Sequence, residues 1–288
     1  PIIITRVDEN RIKAYFNICQ HRGGPIVDEN NCYQQFQCQY HGWIYTNEGK
    51  LKNARGFDKD ELKKSDFNLK EINVSVWNGL MFINFDKRCN PLESIYEKLE
   101  KRINKRNFSS YQFYKRDSYN ISCNWKIYMD NYLEGLHIPI VHPELNKTIN
   151  YKSYKTETHD QFSLQWCSID PQLNPYKNDS SEDLIAYYVT IFPNVILNIA
   201  PGRLQTNIVE PIDEKNCSVH FDYYFEQVDE KQIQKDLDFS DIIQREDIEI
   251  CESVQASYEA KGFESGIISK RYESGIFYFH SRLKEILL

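Results

Sequence analysis

Residues 124–143 read NWKIYMDNYLEGLHIPIVHP, and this stretch decides how the second half of the chain folds. From Asn124 its apolar residues recur at helical spacing, which is typical of a helix with one buried face. Pro139 lacks an N–H and disfavours helical geometry at the residue before it, so we expect the helix to end near His137 and the chain to turn before His142. Both imidazoles could then reach a common point and act as metal ligands.

The opposite face of this helix carries carboxylates. Asp130 and Glu134 precede His137 at i, i+4 and i+7, so all three are expected on one polar face. If the histidines bind a metal, such carboxylates can accept the second ring N–H of each imidazole and fix its orientation. A solvated acidic face explains the same two residues more simply, so the stretch does not by itself identify a metal site.

A third candidate ligand lies far along the chain, in QREDIEICESVQASYEAKG at residues 244–262. An apolar stripe at helical spacing predicts a helix from about residue 238 to 260. Asp247 lies in the middle of that stripe, whereas Glu246 and Glu249 are expected to point elsewhere. A carboxylate that faces a core must be paired, protonated or metal-bound, because an isolated buried charge costs many kcal/mol.

Two histidines and one carboxylate form the facial set of ligands that non-haem Fe(II) enzymes use, with positions left open for dioxygen and substrate. The sequence therefore predicts that His137, His142 and Asp247 bind a mononuclear iron.

The composition narrows the class of protein. The chain has 288 residues, of which 41% are hydrophobic, and this length can bury a substantial core. The net charge of −7 and the absence of a basic stripe argue against a nucleic-acid partner. No run approaches the roughly eighteen apolar residues of a membrane helix. The sequence opens at Pro1 in a strand-like segment, so we expect the natural N-terminus to lie upstream.

Cysteine usage bears on the compartment. The eight cysteines could form disulfides in a secreted protein. Two of them have a histidine within three residues, and a chain of this size does not need disulfides to fold. We therefore expect a reducing cytoplasm.

Residues 1–88 contain short β-branched and aromatic runs separated by polar turns, which predicts an all-β region. Within it, CQHRG at residues 19–23 and CQYHGW at residues 38–43 each present one thiolate and one imidazole. Such a set can hold tetrahedral zinc, or a [2Fe–2S] cluster with two cysteines on one iron and two histidines on the other. The glycine after each histidine is expected to let backbone N–H groups approach the sulfur atoms, which favours the cluster. The predicted ligands are Cys19, His21, Cys38 and His41.

After residue 110 a series of long strands with polar turns between them is flanked by helices. This order predicts an antiparallel sheet with helices packed on it, an α+β architecture.

The two-loop motif, C-x-H-R-G followed by C-x-x-H-G-W, is similar to the Rieske domain of ring-hydroxylating and related oxygenases. The segments around His137 and Asp247, together with the ending YESGIFYFHSRL, resemble the large (alpha) subunits of Rieske non-haem iron oxygenases, and the likeness extends over nearly the whole chain. The family's loop commonly carries proline where this chain has Gln20, a departure that concerns the rigidity of the loop more than its ligands.

The resemblance implies a domain order. Residues 1–88 would form a Rieske [2Fe–2S] domain truncated at its start, residues 89–109 a connecting helix, and residues 110–288 a helix-grip (START-like) catalytic domain. It also implies a homotrimer in which electrons pass from the cluster of one subunit to the iron of its neighbour through a carboxylate. That carboxylate corresponds to Glu134, where most members carry aspartate and some quaternary-ammonium oxygenases carry glutamate.

The function that the resemblance implies is that of a terminal oxygenase. Such a subunit uses O2 to hydroxylate an aromatic ring or a quaternary ammonium compound, with electrons from NAD(P)H delivered by a reductase or ferredoxin. Glu134 in its N-Y-L-E-G-L-H context favours the branch of choline and carnitine monooxygenases. Two alternatives stay open from the residues alone: a ligand-binding protein stabilised by zinc, and a Rieske electron carrier with an inactive catalytic domain.

Overall fold

The structure is a computed structural model, and it describes residues 1–58, 60–103, 106–170, 184–227 and 229–288. The chain forms two compact units, Pro1–Lys105 and Arg106–Leu288. The division of the sequence at residues 88 and 109 stays a prediction. The polar turn expected at residues 170–183 lies, apart from its first residue, outside the described residues.

The first unit is built on short antiparallel strands, which confirms the all-β prediction. In its described part they form a four-stranded sheet in the order β1-β2-β6-β7 and a three-stranded sheet in the order β3-β4-β5. The strands are β1 Ile2–Arg6, β2 Ile12–Phe16, β3 Gln35–Gln37, β4 Ile44–Thr46, β5 Leu51–Asn53, β6 Glu71–Trp77 and β7 Leu80–Asn84.

The helix predicted between the halves is α1, Glu93–Arg102. It packs within the first unit, because the ring of Tyr96 stacks on Trp77 with 6.2 Å between centroids. The indole N–H of Trp77 also donates to Oε1 of Glu100 at 2.8 Å. Leu99 is fully buried, so one face of this helix belongs to a core and the rest is solvated.

The second unit is a large antiparallel sheet with helices packed on it, and the predicted α+β architecture is confirmed. Over the described residues the sheet has seven strands in the order β8-β14-β13-β12-β11-β10-β9, so successive strands from β9 onward are neighbours and β8 pairs with the last one. The strands are β8 Gln112–Ile121, β9 Lys155–Thr158, β10 Phe162–Ser168, β11 Ile185–Ile191, β12 Val195–Ala200, β13 Arg203–Pro211 and β14 Cys217–Phe225.

Along the chain, three helices of the second unit lie between β8 and β9, and two follow β14. They are α2 Trp125–Tyr132, α3 Ile138–Val141, α4 Pro143–Thr148, α5 Glu230–Glu259 and α6 Ser274–Leu287. Tyr128, Met129 and Leu133 form the buried face of the α2 segment, as its apolar periodicity predicts, and α2 packs against α5. Within the described ranges, none of the helices has the length and apolar character needed to cross a lipid bilayer.

Helix α2 ends five residues earlier than its sequence predicts, at Tyr132 instead of His137. The reason lies in the backbone hydrogen bond that would continue it. The carbonyl of Tyr132 accepts an N–H of the Gln165 side chain at 2.7 Å, and the N–H of Leu136 donates to the carboxylate of Glu134. Since side chains have taken both partners of the i→i+4 bond, the chain leaves the helix.

The C-terminal third also differs from the prediction. Helix α5 begins at Glu230, eight residues before the predicted start at 238, and the carboxylate of Asp229 accepts the N–H groups of Lys231 and Gln232 as its N-cap. The segment after α5, for which the sequence analysis predicts no helix, contains α6. Its apolar residues at helical spacing pack into the same core as α2, and the phenyl ring of Phe279 is fully buried.

A single glycine allows α6 to approach the end of α2. A Cβ built on Gly275 would lie 2.3 Å from the carbonyl oxygen of Leu133, a contact with backbone that cannot move aside cheaply. Alanine normally stabilises a helix relative to glycine by about 1 kcal/mol. Here the clash decides the sign, so we expect Gly275→Ala to reduce the free energy of unfolding by about 1–3 kcal/mol, seen as a lower melting temperature in calorimetry. Gly262→Ala is the control, because no atom lies within 4 Å of its Cβ position. Equal melting temperatures for the two variants would contradict this account.

Candidate active site

The three predicted iron ligands meet in the second unit. His137 stands at the start of α3, His142 between α3 and α4, and Asp247 in the middle of α5. Their ligand atoms all lie within 4.8 Å of one another. Nε2 of His142 is 3.0 Å from Oδ1 of Asp247, and Nε2 of His137 is 3.9 Å from the same oxygen. Pro139 does not end α2, which stops at Tyr132; it lies in the first turn of α3, the one-turn helix between the two imidazoles.

Each imidazole is oriented by a carboxylate. Nδ1 of His137 donates to Oε1 of Glu134, and Nδ1 of His142 donates to Oε2 of Glu246 at 2.8 Å. An ionised carboxylate can only accept, so both Nδ1 atoms carry a proton. Both Nε2 atoms face Asp247, and a metal bound there would take their lone pairs and displace the Nε2 proton that His142 donates to Asp247. This is the arrangement that metal-binding histidines use. Glu246 was expected to point elsewhere, and the structure corrects that expectation.

The carboxylate of Asp247 is held in turn by Asn131, whose side-chain amide donates to Oδ1 at 2.6 Å. Burial lowers the pKa of His142, but its hydrogen bonds to Asp247 and Glu246 outweigh that effect, and the pKa lies above the ordinary value. Two imidazoles and one carboxylate, converging from two helices and fixed by second hydrogen bonds, are the donor set that suits non-haem Fe(II).

Asp130 is not among the carboxylates that reach these imidazoles. It faces α6, and its two oxygens lie 2.9 and 3.0 Å from Nε2 of His280. This hydrogen bond raises the pKa of His280. The prediction that Asp130 and Glu134 share one face requires a longer helix. Because α2 ends between them, Asp130 contacts His280 and Glu134 contacts His137.

The four residues predicted to hold a cluster lie on two loops of the first unit. Cys19 and Cys38 are buried, and the rings of His21 and His41 lie 4.6 Å apart between centroids. The His21 ring stacks on the buried indole of Trp43 at 4.8 Å. Two adjacent strand connections therefore bring both thiols and both imidazoles to one end of the unit.

The glycines of the loops act through the backbone. Gly23 and Gly42 each lie four residues after a cysteine, and the N–H of each donates to that cysteine's carbonyl, at 2.9 and 3.0 Å. Both have positive φ, +75° and +73°, which only glycine adopts freely. These two N–H groups thus bond to carbonyl oxygens, whereas from the sequence we expect them to approach sulfur. Gly24 lets the first loop lie close to the second, since a Cβ added to Gly24 would lie 3.3 Å from Sγ of Cys38.

The loops fit a [2Fe–2S] cluster. Nδ1 of His21 is buried and has no hydrogen-bond partner among the described residues, as expected of a nitrogen reserved for a metal. The hydroxyl of Tyr45 lies 3.4 Å from Sγ of Cys19. A thiolate can only accept, so with the cluster bound this hydroxyl donates to sulfur, a contact that tunes cluster potentials. Burial raises the pKa of the Cys19 thiol, the neighbouring Cys38 adds to the effect, and Tyr45 opposes it.

A cavity of about 140 Å³ adjoins the His137, His142 and Asp247 triad. Its walls come from α2 to α5 and from the central strands of the sheet. One part of the wall is aromatic and aliphatic, and another carries amide and hydroxyl groups. Tyr188 lines it, and so does Gln244, which the sequence analysis did not single out although it lies on the same helical face as Asp247.

Removal of the carboxylate that orients His142 tests the site. We expect Glu246→Ala to weaken Fe(II) binding about 10–100-fold, because the imidazole loses the acceptor that fixes its tautomer. Iron affinity is measured by titrating the iron-depleted protein, with the visible spectrum of the cluster as a check that the first unit is intact. Glu249→Ala is the matched control on the exposed face of the same helix. Equal affinities for the two variants would show that Glu246 does not position His142.

Comparison with known proteins assigns a family to each part of the chain. The family model described as "Rieske [2Fe-2S] domain" matches residues 1–73, and that described as "Ring hydroxylating alpha subunit (catalytic domain)" matches residues 108–288. The chloroplastic choline monooxygenase of Arabidopsis thaliana is 30% identical over 98% of this chain and 70% of its own length. The carnitine monooxygenase oxygenase subunit of Acinetobacter pittii is 28% identical over 96% of this chain and 77% of its own length.

Solved structures show the same likeness. The crystal structure of a quaternary ammonium Rieske monooxygenase bound to an inhibitor has a TM-score of 0.81 with 25% identity, and the match covers 99% of this chain and 81% of that one. The fold, the cluster loops, the triad and these matches agree. The chain belongs to the Rieske non-haem iron oxygenases, as an alpha subunit with a Rieske [2Fe–2S] domain and a mononuclear-iron catalytic domain.

Proposed function

We propose that this chain is the terminal oxygenase of a system that uses O2 to oxidise a small quaternary ammonium compound. The observation that carries the substrate class is the cavity beside the triad, which is small and has a tyrosine-rich wall. The relatives named above act on choline or carnitine, both of which carry a trimethylammonium group.

Tyrosine rings suit a cation of this kind. Tyr128, Tyr132, Tyr154 and Tyr188 line the cavity. Three of their hydroxyls donate to amide oxygens, those of the buried Gln244 and Gln165 and the partly buried Asn198, at 2.7–3.0 Å. The rings are thereby fixed before a ligand arrives. Burial holds the pKa values of the same three hydroxyls well above the ordinary value, so the rings are neutral. A cation on such a face gains about 0.5–2 kcal/mol per ring.

The size of the cavity supports the same class. An apolar cavity of about 150 Å³ holds one benzene molecule. The volume of about 140 Å³ in this structure therefore suits a compact trimethylammonium compound, and a fused aromatic ring system would need the walls to move.

The cluster and the mononuclear iron have different roles in the proposed reaction. When bound, the cluster supplies single electrons and the iron supplies the positions at which dioxygen is reduced. His137, His142 and Asp247 would hold the iron, and Glu134 and Glu246 keep the two imidazoles in the tautomer that binds it. Asn131 restrains the carboxylate ligand. A complete triad next to a cavity argues against a carrier whose catalytic domain has been lost.

Glu134 is the residue through which we propose that electrons enter the catalytic domain. One of its oxygens accepts from His137 and the other from the backbone N–H of Leu136, so the carboxylate is tied to the loop that carries an iron ligand. In the resemblance described above, the cluster that delivers the electron belongs to a neighbouring subunit of a homotrimer. One related structure is described in terms of inter-subunit electron transfer, which supports this arrangement.

The remaining partners follow from the family. A reductase or ferredoxin would deliver electrons from NAD(P)H. We further propose a reducing compartment such as the cytoplasm, because all eight cysteines are free thiols in the structure, and oxidising compartments favour disulfides.

The test is a panel of substrates offered to the reconstituted protein. Under anaerobic conditions the protein is titrated with choline, glycine betaine, γ-butyrobetaine, benzene and naphthalene, then exposed to O2 with reduced electron donor, and products are identified by mass spectrometry. We expect binding and oxygen-containing products for trimethylammonium compounds. Turnover confined to the aromatic hydrocarbons would make the proposed substrate class wrong.

The role of Glu134 is tested by removing its charge at constant size. We expect Glu134→Gln to keep both metals, because the amide oxygen still accepts from His137, and to slow single-turnover electron transfer from the reduced cluster about 10-fold. Iron content and the cluster spectrum report on metal binding, and stopped-flow absorbance gives the rate. Glu144→Gln, an exposed position on α4, is the control. A rate equal to that of the unmodified protein would refute the role.

A further inference from the structure

Gln244 is a buried amide in the wall of the substrate cavity. It lies on α5, three residues before Asp247, so both side chains project from the same face of the helix. Its side chain is 2% exposed, and it lines the cavity beside the triad. In the described structure it forms no hydrogen bond with a residue of the predicted metal site, so the metal site does not account for a buried amide at this position.

Only one end of this amide, its oxygen, has a hydrogen-bond partner among the described residues. Oε1 accepts the hydroxyl proton of Tyr128 at 2.8 Å. Nε2 carries two N–H donors, and it has no hydrogen-bond partner among the described residues. The assignment of oxygen and nitrogen follows from Tyr128, whose hydroxyl needs an acceptor in this buried position. The free end of the side chain is therefore a donor.

A buried donor without a partner loses its hydrogen bonds to water and gains none in return, so folded proteins contain few of them unless a water or a ligand satisfies the donor. The neighbouring polar groups do not compete for this donor. Arg203, on the same wall, forms an ion pair with the buried Asp236 at 2.9 Å. Ser240, one turn before Gln244, donates to Oε1 of Gln205 at 3.3 Å. These groups bond to one another and not to Nε2 of Gln244, which is left for the content of the cavity.

We propose that the amide N–H of Gln244 binds an acceptor oxygen on the substrate, so that the enzyme selects trimethylammonium compounds that carry a hydroxyl or carboxylate on a short chain. This deepens the proposed function and rests on it. The aromatic wall would hold the cationic end and Gln244 the oxygen, and the two contacts together would fix which carbon faces the iron.

Two matched pairs of probes test this on the holoenzyme. Choline is compared with propyltrimethylammonium, in which a methyl group replaces the hydroxyl. Glycine betaine is compared with isobutyltrimethylammonium, in which an isopropyl group replaces the carboxylate. Dissociation constants are measured anaerobically by calorimetry. At least one oxygen-bearing compound is expected to bind about 10-fold or more tightly than its partner, because the analogue leaves the donor unpaired. Which pair shows the ratio identifies the acceptor as a hydroxyl or a carboxylate.

Variants of Gln244 test whether this residue causes the ratio of dissociation constants within a pair. Gln244→Met keeps the length of the side chain and removes both N–H groups, so the ratio should fall to about one. Gln244→Glu also lacks the N–H groups and can still accept from Tyr128, so it serves if the first variant is unstable. Gln234→Met is the matched control: it makes the same change at an exposed glutamine of the same helix, and it should keep the ratio.

The outcomes separate the two proposals. If the unmodified enzyme binds both members of each pair equally, or if the preference survives in Gln244→Met and Gln244→Glu, the assignment of Gln244 is wrong and the proposed substrate class stands. If none of the four compounds binds, the substrate class is wrong and the assignment is overturned with it.

Discussion

The second unit depends on one constraint, the placement of a carboxylate on the buried face of a long helix. Asp247 lies among the residues with which α5 packs against α2, and a charge in that position is stable only with partners around it. The structure supplies Asn131 from α2 and His142 from the segment that follows α3. The packing of α2 on α5 therefore helps to hold the candidate iron site, because Asn131 of α2 restrains one predicted ligand, Asp247, and the other partner of Asp247, His142, is itself a predicted ligand.

Hydrogen bonds from side chains to the backbone explain why α2 is short. A helix that continued to residue 137 would satisfy its own backbone and would leave Glu134 with no particular role. Instead, Gln165 takes the carbonyl of Tyr132, and Glu134 takes the N–H of Leu136 together with Nδ1 of His137. Each polar side chain replaces a backbone hydrogen bond and at the same time orients a group that lines the cavity. Removal of one of these side chains would disturb the backbone and the site together.

The sequence predicted the parts of this molecule that short patterns encode. The two cysteine and histidine loops are local motifs with fixed spacing, and the facial triad follows from a carboxylate in an apolar stripe plus two histidines separated by a proline. What the sequence did not predict depends on partners far along the chain. The early end of α2 requires Gln165, the orientation of His142 requires Glu246, and the turn of Asp130 toward α6 requires His280. Helical periodicity predicts faces, but it does not say which distant side chain will take a backbone group.

The two candidate metal sites differ in the distance along the chain over which they are assembled, and this bears on how each is preserved. The cluster loops lie within 25 residues of one another in sequence, and each is closed by a glycine with positive φ that bonds back to its own cysteine. Their geometry is set largely by local backbone conformation. The triad joins residues more than 100 positions apart, so its geometry is only as good as the packing of α2, α3 and α5. Residues distant from the candidate iron site, such as Gly275 where α6 meets the end of α2, therefore help to stabilise that site. The cluster loops are less sensitive to changes elsewhere, because the hydrogen bonds that close them lie within the loops.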